Sequence, residues 1–306
     1  MEKSIVNRSI AIILSIVVVI AFSFVTGSDV HAAAKKKTIY VKAQVKVTDD
    51  YGDGDVYQWT TKYFFDKKGL LKKSKLSNGK VVFKRNKKGA VTSSKTYEGK
   101  KLTYIAKVKY NKKGLAASEK TYSIKNGKKT LFDTATFTYY SNGNKKKEVY
   151  EGRGNLYNEH SHYKETEYYR KNGTLKKAVR VRDDAKYTVT YDKYEDPTKQ
   201  VYTLWGDDFK TTGTTTYRYK RNKKKEIVKC VETDETDGTY GPDKTITTVT
   251  YKYKHDKHGN IVKEVMKSVR DHNGEKTTSK LTTETKYKKI KIEKKYLPYV
   301  ENWLLP

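Results

Sequence analysis

Lysine pairs recur in short polar segments of this chain, at positions 67–68, 72–73, 87–88, 112–113, 145–147 and 223–225. With a formal net charge of +31, such clusters create a field that attracts polyanions. Lys67, Lys87 and Lys112 are the candidate contacts, each centred in a turn-like segment. Trp59 and Trp205 lie in neighbourhoods rich in Gly and Asp and are the candidates for stacking on a sugar. Catalytic signals are poor. Glu165-x-Glu167 puts two carboxylates on one face of a strand, and no G-x-S-x-G, H-E-x-x-H or Cys/His pairing accompanies it. His160-Ser-His162 offers two imidazoles and no third ligand at metal spacing. Asp49-Asp-Tyr-Gly-Asp53-Gly-Asp55 lacks the closing Glu of a calcium loop. Cys230 is the single cysteine, which excludes an intramolecular disulfide. No enzyme, no cofactor and no metal are expected.

The ends suggest export. Lys3 and Arg8 precede an apolar run from Ile10 to Val25, and Ala32, Ala33 and Ala34 follow in the A-x-A pattern of a cleavage site. The run is short of the roughly 20 residues of a membrane span. Residues 1–34 therefore read as a signal peptide, with a retained anchor as the alternative, so membrane contact is expected only if the signal is uncleaved. Export removes intracellular DNA as a partner. Scarce Arg, the usual reader of guanine, argues against sequence-specific nucleic-acid binding.

Low hydrophobic content (35%) beside 33% charge is a disorder signature, but 27 Tyr and only four Pro oppose it. Glycines punctuate the chain at Gly69, Gly79, Gly89 and Gly99, then at Gly114, Gly127, Gly143, Gly173, Gly259 and Gly274. Many follow Asn or Asp, the dipeptides of tight hairpin turns. Segments between them alternate, as in Tyr217-Arg-Tyr219-Lys and Tyr251-Lys-Tyr253-Lys. That period of two puts aromatics on one strand face and Lys or Thr on the other.

Aligning the turns exposes a unit: aromatic-x-aromatic, a polar turn ending in Gly, then an aliphatic. Copies run from Tyr63 to Leu71, Phe83 to Val91, Val108 to Leu115, Phe137 to Asn144, Tyr169 to Leu175 and Tyr253 to Ile261. Tyr191-Asp192 and Tyr219 to Ile227 are degenerate copies without the Gly. On Phe65-Asp66, Gly69 and Leu71 the unit resembles the YD repeat of Rhs-type shell proteins and related surface proteins. The replacement of Asp by Asn111, Tyr140 and Arg170 departs from that pattern. The resemblance implies a curling β-meander with a surface or binding role, and no catalytic residues.

The expected fold is all-β: a tandem antiparallel β-hairpin repeat array, a twisted or curling meander, filling 35–306 as one domain after the signal peptide. About eight hairpins look too few to wrap a cargo. The first segment (Ile39 to Val47) and the last (Tyr296 to Leu305) are expected to cap the array's two ends. The expected function is a secreted, non-catalytic surface protein outside a Gram-positive-like cell. Its basic array would hold an anionic wall or extracellular polymer. The alternative is a carbohydrate-binding or adhesin module using exposed Tyr and Trp. A distant third is an enzyme built on Glu165 and Glu167.

Overall fold

The computed structural model describes residues 36–51, 55–155, 158–206, 208–238, 241–300 and 304. The leader, the centre of the 49–55 acidic loop, Trp303 and Leu305 lie outside the described residues, as does the side chain of His160.

Alternation becomes strand wherever it was read. The strands are β1 (Lys36–Asp50), β2 (Val56–Phe65), β3 (Leu71–Leu76), β4 (Gly79–Arg85), β5 (Val91–Glu98) and β6 (Lys101–Tyr110). They continue as β7 (Ala116–Lys125), β8 (Lys128–Tyr139), β9 (Lys145–Asn155), β10 (Asn158–Tyr169), β11 (Leu175–Arg182) and β12 (Ala185–Tyr191). The last six are β13 (Pro197–Trp205), β14 (Lys210–Arg221), β15 (Ile227–Gly238), β16 (Asp243–His255), β17 (Ile261–His272) and β18 (Glu275–Glu293). A 3-10 turn follows at Lys294–Tyr299.

Each strand pairs antiparallel with the next, and β1 also pairs with β18, from Lys36↔Glu293 to Asp50↔Lys280. The 18-stranded sheet is therefore a closed barrel, where a twisted or curling meander was expected. A barrel of this strand number is too wide for its own side chains to fill. The count of eight hairpins was right as far as it went, but it missed the closure and so the enclosed lumen. The first segment is no end cap either: as β1 it lies between β2 and β18 and forms the seam.

Closure has a local cause in the turns. All eight units place their turn on the same rim, because each one joins an even strand to the following odd strand. In each, the turn residue at Asp66, Asn86, Asn111, Tyr140, Arg170, Asp192, Asn222 or Asp256 donates its N–H to the carbonyl four residues on. An Asp or Asn there also bonds the turn through its side chain. Asp66 Oδ1 accepts from Lys68 N at 2.8 Å and Leu70 N at 3.0 Å, and Asp256 Oδ1 accepts from His258 N at 2.8 Å and Asn260 N at 3.0 Å. One residue before every turn the ladder register shifts, as at Phe64/Phe65, Lys84/Arg85 and Lys109/Tyr110. A bulge bends and over-twists its strand. Eight of them on one rim curl the sheet until its edges meet.

Neighbouring hairpins are also tied together. Tyr110 Oη donates to the Val91 carbonyl at 2.6 Å, Tyr139 to Ala116 at 2.7 Å, Tyr219 to Pro197 at 2.8 Å and Tyr253 to Ile227 at 2.9 Å. In each case the phenol reaches the first residues past the preceding turn. The copies that depart from Asp or Asn keep a link of their own: Tyr140 Oη donates to the Tyr169 carbonyl at 2.8 Å, and Arg170 Nη2 to the Tyr191 carbonyl at 2.6 Å.

The turn rim is partly covered by the chain's end, as expected of the last segment. Tyr296, Val300 and Leu304 are buried. Leu304 joins Leu71, Val81, Phe83, Val91 and Val108 in one cluster, while Tyr296 and Val300 join Val41, Leu70 and Ile292 in another. Arg85 anchors the crossing by donating to the carbonyls of Leu71, Gly89 and Tyr299 at 3.2, 2.9 and 3.4 Å. Gly89 lies beneath Tyr299, and a Cβ there would stand 3.0 Å from its ring.

The degenerate copies supply a stability test. Where Gly is missing, Glu195 and Lys225 adopt φ of 67°. A left-handed residue with a Cβ costs on the order of 1 kcal/mol, partly offset by the greater unfolded-chain entropy of Gly. Lys225→Gly is expected to stabilise the barrel by about 0.5 kcal/mol in urea unfolding. Gly114, at φ 79° with open space around it, should lose about 1 kcal/mol as Gly114→Ala. A loss of stability in Lys225→Gly would contradict this account of the turns.

Candidate functional site

The two faces of the sheet differ in chemistry. On β16, Tyr251 and Tyr253 are half-buried while Lys252 and Lys254 are exposed. On β14, Tyr217 and Tyr219 alternate with exposed Arg218 and Lys220 in the same way. Following the ladders from strand to strand keeps the sets apart, for example Tyr219↔Cys230↔Val249 and Tyr253↔Glu264↔Thr283. The less exposed set carries the tyrosines and is continuous with the cluster that takes in Leu304, so it is the concave, luminal face. The convex face carries Lys and Thr.

Between β7 and β11 the lumen wall is an acidic, tyrosine-rich network. Glu119 is 7% exposed and Asp133 5%. Burial, then the charges of Glu148 and Asp133, push the Glu119 carboxyl up to about 8. Burial pushes Asp133 up to about 6, against a hydrogen bond from Tyr150 that lowers it. The Tyr150 and Tyr163 rings lie 5.5 Å apart, and Tyr163 covers Gly152, where a Cβ would collide with its ring and with Asp133. Burial, then Glu167 and Glu148, drives the Tyr169 phenol far above its usual range. This sector contains its own cations. Lys145 Nζ sits 2.7 Å from Glu148, donates to Tyr169 Oη at 3.2 Å and lies over the Tyr169 ring at 4.7 Å. Arg180 Nε donates to Glu165 at 2.8 Å.

The sequence did place Glu165 and Glu167 on one face. The structure adds that Glu167 is paired across the ladder with Glu148, and Glu165 with Tyr150. Glu119 and Asp133 were missed, because each looks like an isolated acid in a polar strand and only the ladder brings them together.

Between β13 and β17 the lumen wall is more open. Tyr202 Oη donates to Asp234 at 3.1 Å and its ring covers Gly213, while Thr215 Oγ1 donates to Asp234 at 2.8 Å. Tyr217, Tyr251, Tyr253 and Met266 stay half-exposed. Burial raises the carboxyls of Glu232 and Glu264; the neighbouring Asp234 raises Glu232 further while Arg270 lowers it, and Lys42 lowers Glu264.

The sequence-derived contacts are not brought together. Trp59 faces the lumen from β2, in register with Val47. Trp205 is at the rim opposite the turns, its indole N–H donating to the Asp183 carbonyl at 2.7 Å. Lys67, Lys87 and Lys112 are exposed on the turn rim. Among the described residues no group of three His, Cys, Asp or Glu could hold a metal ion.

No family model matches the chain, so the YD-repeat resemblance gains no support there, and no curated protein matches. Solved structures similar to it include a porin-like protein from Bacteroides uniformis, 11% identical at a TM-score of 0.41, covering 81% of this chain and 98% of that one. Another is OprB of Pseudomonas putida at low pH, 8% identical at 0.30, covering 83% and 92%. A third is TcdB2-TccC3, 11% identical at 0.33, covering 71% of this chain and 13% of that one. Likenesses this distant decide nothing about activity, and function is read from this chain's own geometry.

Closure corrects the functional expectation. A surface protein gripping an anionic wall or extracellular polymer was expected from the +31 charge and the lysine-rich turns of a hairpin array. In a closed barrel, half of every strand's side chains face a lumen. The polymer partner is therefore set aside, and with it the sugar-binding adhesin alternative. The secreted, Gram-positive-like surface placement, read from the leader, is set aside with them. Membrane contact no longer hangs on an uncleaved leader, because barrels cross with strands. Among the described residues no helix is long and apolar enough to cross, which says nothing of strands. The convex face bears on that question. Lys62, Lys252, Lys254 and Lys267 are exposed there, among scattered apolar residues such as Phe64, Val181, Val201 and Ile246. A lipid-facing wall carries a continuous apolar band, and each Lys at mid-depth costs about 2–4 kcal/mol.

The acidic wall predicts a pH dependence of stability. Glu119 binds its proton more tightly folded, near 8, than in the unfolded chain, whose ordinary value is 4.5. Its contribution is therefore complete below about 4.5 and is lost as pH rises through about 8. The melting temperature should fall from pH 5 to pH 8.5, and Glu119→Gln should flatten that fall. A fall just as steep in Glu119→Gln would contradict this role for Glu119.

Proposed function

We propose that the protein is a hollow β-barrel vessel or conduit for small positively charged solutes, its lumen being the working surface and not a catalytic cleft. The observation that carries this reading is the segregation of charge across the wall. The chain as a whole is strongly basic, at +31, and its lysines concentrate on the convex face. Inward positions instead gather Glu119, Asp133, Glu148, Glu167, Glu232 and Glu264 among tyrosines. Glu119, pushed up to about 8, keeps its proton at neutral pH and adds no charge. A cation entering the lumen meets the carboxylates that are ionised and the negative faces of aromatic rings, both favourable to it. An anion is attracted to the outside and gains nothing by entering.

The convex lysines keep the barrel's outer wall hydrated and its strands from pairing with other sheets. The C-terminal crossing over the turn rim, anchored by Arg85, narrows access on the side of β3 to β6.

Equilibrium dialysis against size-matched organic cations and anions tests the reading. At moderate ionic strength, where exposed surface attraction is screened, cations should be retained and anions should not. Retention of anions alone under those conditions would contradict it.

A further inference from the structure

On the convex face several lysines find an acid on the neighbouring strand. Lys164 Nζ lies 2.7 Å from Glu151, Lys244 2.8 Å from Glu235 and Lys263 3.0 Å from Glu284. The first strands break that pattern. Across β1 to β5 one row of the ladder reads Gln44↔Lys62↔Lys75↔Lys80↔Tyr97, with lysines on three adjacent strands and no acid in the row. Like charges directly opposite each other destabilise a sheet. Lys73 shares the face, two residues before Lys75. Among the described residues none of these four lysines has a carboxylate within ion-pair distance.

Shape accompanies the charge. Lys73, Lys75 and Lys80 line a depression of about 390 Å³ at the rim opposite the eight turns, with Ser77 and Asn78 of the β3–β4 connection beside them. Close backbone packing shapes it: the Gly99 N–H donates to the Asn78 carbonyl at 2.6 Å, and a Cβ at Gly79 would collide with the Tyr97 carbonyl. Two rings steady the flanking ammonium groups. Lys73 Nζ lies 4.5 Å from the centre of the Phe64 ring, and Lys80 Nζ 4.8 Å from that of Tyr97.

We infer that this depression binds a small soluble anion carrying two or three phosphoryl groups, held by Lys73, Lys75 and Lys80 with Lys62 next in the row. Adjacent strands stand about 4.8 Å apart, so flexible lysine stems bring their ammonium groups onto one guest. Each ammonium is a point-charge partner for phosphate oxygens. Binding also relieves the repulsion among lysines that have no acid of their own. The row stops at Gln44 and Tyr97, which suits a discrete guest and not a polymer laid along the sheet. The site lies on the convex wall and is independent of the cation-holding lumen.

Titration calorimetry with tripolyphosphate tests the site, at an ionic strength of about 0.15 M that screens exposed long-range charge. One ion should bind per chain, more tightly than inorganic phosphate. Lys75→Gln should weaken binding about tenfold, the size of one hydrogen bond to a charged group, and Lys73→Gln should repeat the loss. The triple variant Lys67→Gln, Lys87→Gln, Lys112→Gln on the turn rim removes more charge and should leave affinity unchanged. Without ligand, Lys75→Gln should melt no lower than the wild type, because it removes a like-charge opposition. That separates lost binding from lost folding. Equal affinity in wild type, Lys75→Gln and Lys73→Gln, or an equal loss in the turn-rim triple, would overturn the site and leave only bulk charge. Vesicles containing phosphatidic acid give a separate arm. Their capture by wild type and not by Lys75→Gln, with no binding of tripolyphosphate, would overturn the soluble guest in favour of a lipid headgroup.

Discussion

Everything described here depends on the pairing of β1 with β18. Without it the sheet has two long edges, each a row of unpaired backbone groups that invites association with other chains. With it no edge remains, and the same sequence acquires an inside and an outside. The seam is long: β1 spans 15 residues and β18 spans 19, against 6 to 13 for the other strands. β1 pairs with the last strand, so the seam contacts are the most distant in sequence. Loop-closure entropy makes such contacts slow to reach but only modestly more costly in stability.

Inside and outside then take different roles. A strongly basic chain would ordinarily be read by its net charge, but net charge describes the convex wall. The concave wall is where burial raises carboxyl pKa values, where Lys145 and Arg180 neutralise one sector, and where tyrosines either brace the preceding hairpin or line the lumen. The phenols serve both purposes by position: those near the strand ends on the turn rim reach a neighbour's carbonyl, as Tyr110 and Tyr139 do, while Tyr217 and Tyr251 line the space.

Much of the fold was legible. The Gly spacing and the Tyr-Lys alternation gave strands and turns, and the degenerate copies at Tyr191 and Tyr219 proved to be turns with Glu195 and Lys225 in place of Gly. Closure was not legible. It goes with bulges whose extra residue, such as Lys72 or Thr92, falls just after each turn, and a bulge has no side-chain signature apart from the turn it adjoins. The first segment, Ile39 to Val47, was misplaced for a related reason: alternation identifies a strand but not its partner, and a seam strand reads like an end strand. The site suffered most. Glu165 and Glu167 were visible as a pair, whereas Glu119, Asp133 and Glu148 gain their meaning from register across four strands. Lys67, Lys87 and Lys112 drew attention by number, and the structure leaves them exposed on the turn rim, apart from the luminal network.

The most direct test of closure is a cross-link over the seam. Thr48 and Thr282 are register partners on β1 and β18. Antiparallel partners have Cα atoms about 4.5–5.5 Å apart, within the span of a disulfide. In a Cys230→Ser background, Thr48→Cys with Thr282→Cys should oxidise to an intramolecular disulfide in the folded monomer, and the reaction should be lost in denaturant. Thiols that stay free in the folded monomer, or that link only between molecules, would show that the sheet is open and that there is no lumen.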